Sequence, residues 1–254
     1  MICEELLATV RRANRVVVFT GAGVSAESGV PTFRDAQTGL WAKFDPTELA
    51  TPDAFHRDPA LVWGWYEWRR AAVLRAQPNR AHRAIAAMAR HVPTLTVITQ
   101  NIDDLHERGG SREVVHLHGR LERPYCNQCG EVRTLAPPVA GVTGEGRRMN
   151  PPTCTRCDGR VRPGVVWFGE SLPEREWFAA KKAASECQVF FCVGTSSLVY
   201  PAASLPRIAG EAGAATIQVN PSPTEMDGEV TWDILGAAGS VMPEILKRAW
   251  DANL

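Results

Sequence analysis

The chain has 254 residues, with 28 basic and 28 acidic side chains, so its formal net charge is zero. This length is enough to bury a large core as one domain or one and a half. The neutral balance gives no electrostatic reason to expect nucleic acid or an anionic membrane as a partner, and no apolar run is long enough to span a bilayer.

The pattern of apolar residues predicts helices that alternate with short buried strands. Helices are predicted at residues 2–13, 81–91 and 242–250, the last with Pro243 in its first turn. Unbroken apolar runs predict strands buried on both faces at residues 16–20, 95–99, 114–117, 165–168, 189–193 and 216–219. This alternation predicts an α/β fold with a doubly wound, parallel, Rossmann-like sheet.

The first predicted strand runs directly into a glycine-rich turn. Gly21 and Gly23 permit a sharp turn and let backbone amides approach a phosphate closely. Ser25 is placed to cap a short helix whose free N–H groups would face the same anion. The Gly-x-Gly-x-x-Ala spacing alone fits a plain strand-to-helix turn as well as a dinucleotide site.

Polar turns follow the predicted strands at five places: residues 21–25, 100–103, 118–119, 194–196 and 220. Ligands of open parallel sheets bind beyond the carboxyl ends of the strands. We therefore expect these five turns to lie on one edge of the sheet and to form a binding site.

Two segments interrupt the alternation of strands and helices. Residues 35–77 are rich in Pro, Trp and Phe and predict a helical insertion, whereas residues 121–162 carry four of the cysteines. The Rossmann-like domain is then discontinuous, made of residues 1–34, 78–120 and 163–254. The two insertions form a smaller lobe, and we expect a cleft between the lobes.

Four of the seven cysteines form two Cys-x-x-Cys pairs, Cys126 with Cys129 and Cys154 with Cys157. Two such pairs complete a tetrahedral shell of thiolates, and a closed shell leaves no position for water or substrate, so we predict one structural zinc ion. Four free or redox-active thiols are the alternative. Paired cysteines with three left over favour a reducing compartment, and we expect the cytoplasm.

The glycine-rich turn and the cysteine pairs are accompanied by three further motifs: Pro31-Thr32-Phe33-Arg34, Gly39-Leu40-Trp41 and His118-Gly119. Together with Gly21-Ala22-Gly23-Val24-Ser25, they resemble the signature of the sirtuins, the NAD-dependent protein lysine deacylases. The resemblance covers nearly the whole chain. It implies an NAD-binding domain with a zinc-containing small lobe, NAD as co-substrate and acyl-lysine proteins or peptides as substrate, and we expect a monomer.

The resemblance also implies roles for individual residues. His118 matches the catalytic base of the family, and an unperturbed imidazole pKa of about 6.5 suits a base at neutral pH. Asn101 and Asp103 match residues that hold the nicotinamide ribose and orient water. The implied NAD contacts are Gly21, Ala22, Gly23, Ser25, Thr32, Phe33, Arg34, Trp41, Gln100, Asn101, Ile102, Asp103, Gly194, Thr195, Ser196, Asn220 and Ala238. His116, two residues before His118, has no predicted role.

The substrate side of the predicted site involves two segments. Residues 165–170, with Val165, Phe168 and Gly169, are expected to pair with the substrate peptide as an added strand. Tyr66 and Arg69 share a helix face, and periodicity alone favours an aromatic core stripe with solvated arginines. In the sirtuins, however, Tyr-x-x-Arg marks the branch that removes malonyl and succinyl groups, because a guanidinium binds a carboxylate at two points. Ala36 would leave room for the longer acyl chain.

In the mechanism that the resemblance implies, the acyl oxygen attacks the nicotinamide ribose and nicotinamide leaves. His118 then accepts a proton from the ribose hydroxyls, Phe33 shields the reacting carbon, and the products are lysine and O-acyl-ADP-ribose. Two other hypotheses stay open: a hydride-transferring dehydrogenase, and a zinc-containing module that binds ADP-ribose or nucleic acid without releasing nicotinamide. A generic deacetylase without preference for acidic acyl groups is the third.

Overall fold

The structure, a computed structural model, describes residues 2–30, 44–136, 147–224 and 226–254. Its helices are α1 (Glu4–Arg12), α2 (Gly23–Ala26), α3 (Pro46–Leu49), α4 (Pro52–Arg57), α5 (Pro59–Arg75), α6 (Arg80–Met88), α7 (Leu105–Arg108), α8 (Glu174–Glu186), α9 (Leu205–Glu211) and α10 (Ala238–Trp250). Its strands are β1 (Arg15–Thr20), β2 (Thr94–Thr99), β3 (Val114–His116), β4 (Tyr125–Cys126), β5 (Val161–Arg162), β6 (Val189–Val193), β7 (Ala215–Asn220) and β8 (Trp232–Leu235). None of these helices is both long and apolar enough to cross a membrane.

Six strands form one parallel sheet in the order β3-β2-β1-β6-β7-β8. In the middle of the sheet, Val18 of β1 lies between Val97 of β2 and Phe191 of β6. The chain winds outward from β1 in both directions, so the predicted doubly wound, Rossmann-like sheet is confirmed. Because the strands are parallel, their carboxyl ends and the turns that follow them lie along one edge.

Helices cover both faces of this sheet. Val16 and Val18 of β1 belong to a core shared with α1, α6 and α10, whereas Val17 and Phe19 belong to a second core under α8 and α9. Successive side chains of a strand point to opposite faces, so a strand that is apolar at every position needs cover on both sides. The edge strand β8 was not predicted, because only Ile234 in it is buried and it lacks such a run.

Two sequence predictions about elements are wrong. The last helix begins at Ala238, before residue 242, so Pro243 lies inside it. Burial of the apolar face of α10 compensates for the hydrogen bond that proline cannot donate.

Residues 165–168 form no strand of the sheet, and Val165 makes a single antiparallel bridge with Gly119. Val165 and Trp167 pack instead among residues of α4 and α5. A short apolar run indicates burial but not the neighbour against which the residue is buried.

The third core belongs to the small lobe. It joins α3, α4 and α5 to Val165 and Trp167. Close by, β4 and β5 pair antiparallel, with Cys126 opposite Val161. These elements lie within the segments predicted as insertions, and the domain boundaries themselves stay a prediction.

The loops after β1 and β6 touch at the centre of the carboxyl edge. Gly23 N donates to Gly194 O at 2.9 Å, and a Cβ atom added at Gly21 or Gly23 would lie 2.8 Å from that same oxygen. A Cβ atom at Gly194 would lie 2.4 Å from Val24 N, and its φ of +60° is one that side chains rarely adopt. Glycine is therefore required on both sides of this contact.

We expect Gly194→Ala to destabilise the protein more than Gly213→Ala. Both residues have positive φ, +60° and +90°, but only Gly194 has neighbours that a methyl group would overlap. Positive φ alone costs a side-chain-bearing residue about 1–3 kcal/mol, and the overlap at Gly194 adds to that cost. Urea unfolding of both variants measures the difference, and equal losses would show that the contact imposes no packing constraint.

Candidate active site

Two cavities meet at the carboxyl edge of the sheet. The first, here called the glycine-loop cavity, has a volume of about 260 Å³, and the second, the aromatic cavity, of about 240 Å³. Ala22, Gln100, Asn101 and His118 line both cavities. The predicted residues that line at least one of them are Gly21, Ala22, Gly23, Ser25, Tyr66, Arg69, Gln100, Asn101, Ile102, Asp103, His118, Val165, Phe168, Gly169, Gly194, Thr195 and Ser196.

A larger groove, of about 1110 Å³, lies beside α6 and α10. None of the predicted site residues that the structure describes lines it. Since the polar turns converge on the two smaller cavities, we place the site there in spite of their size.

Unpaired backbone amides line the glycine-loop cavity. Within the part of the chain that the structure describes, the N–H groups of Ala22, Thr195 and Ser196 donate no hydrogen bond. Such amides, beside glycines without side chains, are the donors that a phosphate needs. The sequence predicts that free N–H groups at the start of the short helix face the anion. This prediction is wrong, because Gly23 N, at the start of α2, donates to Gly194 O. The amide donors come from the turns instead.

Ser25 ties the loop after β1 to the loop after β2. It lies inside α2 and does not cap it, which corrects the prediction. Its hydroxyl donates to Asp103 Oδ2 at 3.0 Å and accepts from Asn101 Nδ2 at 3.1 Å. Burial raises the pKa of Asp103, and hydrogen bonds from Leu105 N and Ser25 partly offset this effect. The network fixes the Asn101 and Asp103 side chains beside the aromatic cavity.

His118 lies where the two cavities meet, just after β3. Its Nδ1 is 3.0 Å from Gln100 O, and because a carbonyl only accepts, Nδ1 carries the proton and Nε2 the lone pair. Burial lowers the pKa of His118, against the opposing effect of the bond to Gln100. The ring is therefore neutral at pH 7, with Nε2 as its basic atom.

One turn of α5 presents Tyr66 and Arg69 to the aromatic cavity. Trp167 Nε1 donates to the Tyr66 hydroxyl oxygen at 3.1 Å. Burial raises the pKa of Tyr66, although the charge of Arg69 opposes this, so the hydroxyl keeps its proton. Among the described residues that line this cavity, Arg69 is the only arginine or lysine. The cavity thus combines apolar side chains with the phenols of Tyr66 and Tyr200 and the guanidinium of Arg69.

A buried ion pair holds the segment that borders the aromatic cavity. Arg162, with a side chain only 6% exposed, donates to both oxygens of Glu170 at 2.6 and 2.8 Å. Its guanidinium lies 3.5 Å from the centre of the Trp167 ring, and Trp167 N donates to Glu170 at 2.8 Å. Trp167 and Glu170 lie within the predicted peptide-binding segment 165–170, but no periodic signal in the sequence marks Arg162 or its ion pair with Glu170, so sequence analysis missed them.

The remaining predicted residues lie elsewhere or are not described. Asn220 is buried and its Nδ2 donates to Thr195 O at 2.7 Å, whereas Ala238 is the first residue of α10. Neither lines the two cavities. The predictions at Thr32, Phe33, Arg34, Ala36 and Trp41 fall outside the described residues.

Cys126, Cys129, Cys154 and Cys157 form a cluster whose sulfur atoms all lie within 4.8 Å of one another. The pairs Cys126–Cys157 and Cys129–Cys154 have Sγ–Sγ distances of 3.5 and 3.7 Å. Four sulfurs placed tetrahedrally at about 2.3 Å from one zinc ion are about 3.8 Å apart, so the cluster fits the predicted ion. Backbone amides at Gln128 and Arg156 each donate to a cluster sulfur at 3.4 Å, which favours the thiolate form.

We expect Cys129→Ser to lower the zinc content and the temperature of thermal unfolding. Zinc contributes roughly 10–16 kcal/mol to small zinc modules, so losing one ligand weakens the fold of the small lobe. Metal analysis and a thermal melt measure both effects, and Cys3→Ser, outside the cluster, is the control. A folded and active wild-type protein without bound metal would contradict the prediction.

Known proteins resemble this chain along nearly its whole length. A relative from Methylococcus capsulatus called NAD-dependent protein deacylase is 55% identical over 244 residues, which cover 96% of each chain. NAD-dependent protein deacylase 1 of Pseudomonas aeruginosa is 56% identical over 246 residues, 97% of each chain.

Solved structures agree with this similarity. A Sir2 homologue in complex with NAD matches with a TM-score of 0.91 at 43% identity, covering 99% of this chain and 95% of that chain. A Sir2 complex with a p53 peptide and NAD⁺ matches with a TM-score of 0.84 at 28% identity, covering 99% of this chain and all of the other. The model of the Sir2 family matches residues 21–201, and the chain therefore belongs to the Sir2 family.

Proposed function

We propose that this protein is an NAD-dependent protein lysine deacylase that removes succinyl and malonyl groups, and also acetyl groups, from lysine side chains. Nicotinamide and O-acyl-ADP-ribose are the other products. Membership of the Sir2 family and the names of its relatives support the deacylase activity. The monomeric state and the cytoplasmic location expected from the sequence stay predictions.

The observation that carries the proposal is the position of His118 between the two cavities. The glycine-loop cavity offers backbone N–H donors for a phosphate, and the aromatic cavity offers apolar side chains for an acyl-lysine chain. The unpaired amides of Ala22, Thr195 and Ser196 suit the pyrophosphate of NAD in the glycine-loop cavity. The aromatic cavity suits the acyl-lysine chain. A group at the junction can then act on both substrates.

In this proposal His118 is the general base. Its Nδ1–H is held by Gln100 O, so Nε2 is oriented and ready to accept a proton from a ribose hydroxyl. Bound NAD would supply the ribose carbon from which nicotinamide leaves and the hydroxyl that receives the acyl group. Asn101 and Asp103, fixed by Ser25, would orient the nicotinamide end, and the walls of the aromatic cavity would exclude water.

The preference for acidic acyl groups rests on Tyr66 and Arg69. Tyr66 accepts a hydrogen bond from Trp167, so its own O–H proton is directed to another acceptor, and among the described residues no such acceptor contacts it. A distal carboxylate in the cavity would accept from Tyr66 and pair with Arg69. Residues 165–169, held by Arg162 and Glu170, would add the substrate peptide as a strand.

We expect His118→Ala to lower kcat/KM by about 10²–10⁴-fold, the usual loss when a general base is removed. Zinc content and the unfolding temperature should change little, and His56→Ala, on the exposed side of α4, is the matched control. Because burial lowers the pKa of His118 below about 6.5, the basic form persists at neutral pH. The rate of the wild type should therefore fall only as the pH drops below about 6.5. A variant that keeps most of its activity would refute the role of the base.

We expect Arg69→Met to lower kcat/KM for a succinyl-lysine peptide by at least about 30-fold. Removing one partner of a desolvated charge pair costs roughly 2–5 kcal/mol, and about 1.4 kcal/mol is tenfold. An acetyl peptide has no carboxylate, so its kcat/KM should change far less. Tyr66→Phe should act in the same direction but more weakly, since it removes a neutral donor.

The control for this comparison is Arg75→Met, which removes an exposed arginine from the last turn of the same helix without touching either cavity. Matched acetyl and succinyl peptides are assayed with each variant. Equal losses on both peptides in Arg69→Met would leave a generic deacetylase and remove the preference for acidic acyl groups.

A further inference from the structure

Two histidines at the end of β3 contact two successive carbonyl groups of the loop after β2. His118 Nδ1 lies 3.0 Å from Gln100 O, and His116 Nδ1 lies 3.2 Å from Asn101 O. Both contacts require a proton on Nδ1, because a carbonyl oxygen only accepts. The two rings therefore hold the same loop, but only His118 lines the cavities.

The second nitrogen distinguishes the two rings. His116 Nε2 lies 2.8 Å from Glu107 Oε1, whereas no group of the described chain contacts His118 Nε2. Burial opposes the ionisation of Glu107, but its hydrogen bond to His116 and the charges of His116 and Arg120 outweigh that effect and lower the pKa of Glu107. His116 thus bridges the Asn101 carbonyl and the Glu107 carboxylate, and its side chain is only 5% exposed.

Several charged and titratable groups surround His116. Glu107 on α7 is its direct partner, and Asp103 after β2 is a second carboxyl group close enough to interact with it. His106 on α7 is the other titratable neighbour, and burial lowers its pKa well below the usual value, so it stays neutral. Arg120 lies 3.1 Å from Glu107 and shares that carboxylate. The contacts of His116 thus connect α7, β3 and the loop after β2.

We propose that His116 is a positioning residue: its ring, held by Glu107, fixes the Asn101 carbonyl and thereby directs the Asn101 and Asp103 side chains beside His118. The Asn101 N–H is already bonded to Thr99 Oγ1 at 3.0 Å. With its carbonyl held as well, the peptide units on both sides of Asn101 have fixed orientations. The effect of His116 on kcat rests on the proposed function, whereas its effect on the order of the loop after β2 does not.

Three variants separate the contact of His116 with Asn101 O from its contact with Glu107. His116→Leu removes both contacts. His116→Asn places an amide nitrogen near the position of Nδ1, so it can still donate to Asn101 O, but it loses Glu107. Glu107→Gln offers an amide that can donate to Nε2, so a neutral His116 ring can keep both hydrogen bonds.

Two measurements are made on all three variants and the wild type. Hydrogen exchange of the amides of residues 100–103 reports the order of the loop without any turnover. Kinetics with NAD and an acyl-lysine peptide report kcat and KM. In His116→Leu, we expect faster exchange of these amides and little change in the KM for the peptide. We expect kcat to fall on the order of 100-fold, because a misplacement of about 1 Å at a reacting centre has an effect of that size. His116→Asn and Glu107→Gln should recover most of both.

Nitrogen-15 NMR of the wild type should show a proton on Nδ1 of both His116 and His118. A His116 ring without a proton on Nδ1 would overturn the inference. Exchange rates and a kcat in His116→Leu that equal those of the wild type would also overturn it. So would exchange and kcat in His116→Asn that are changed as much as in His116→Leu, if both variants unfold at the wild-type temperature. If the wild type cleaves no NAD with any acyl peptide but the exchange differences appear, the proposed function fails and the positioning role stands.

Discussion

The close contact between the loops after β1 and β6 is the constraint on which the site depends. Strand order reverses beside β1, and loops diverge at such a point, which leaves a crevice for a ligand. Here glycines let the two backbones meet at 2.9 Å, through Gly23 and Gly194. A side chain at these positions would overlap the backbone of the facing loop and push the two loops apart. The loops that line the glycine-loop cavity therefore depend on glycine for their close contact.

Hydrogen bonds between side chains and loops determine where the polar groups of the site point. The loop after β2 is tied to the β1 side by Ser25 and to the β3 side by His118 and His116. These bonds are largely buried, where leaving a partner unsatisfied costs more than in water. Loops from three neighbouring strands thus behave as one unit, although each of them is irregular backbone.

The small lobe reaches the site through a chain of contacts that begins at the cysteine cluster. Cys126 is paired with Val161 on β5, and the next residue, Arg162, holds Glu170 and stacks on Trp167. Trp167 in turn donates to Tyr66. A segment this short buries too little apolar surface to be rigid alone, and a metal centre supplies that rigidity. The fold of the zinc-binding insertion and the shape of the aromatic cavity are therefore coupled.

Local patterns in the sequence were sufficient for five of the six strands of the sheet, for the cysteine cluster and for the edge on which the polar turns converge. Unbroken apolar runs require cover on both faces, and two Cys-x-x-Cys pairs have one common geometric solution. The tertiary structure alone decided which polar side chains meet: Ser25 with Asp103, Arg162 with Glu170, and His116 with Glu107. It also decided that residues 165–168 border the aromatic cavity and do not join the sheet. The physical reason is that periodicity records how much of each residue is buried, whereas a hydrogen bond depends on which distant segment is brought within about 3 Å of it.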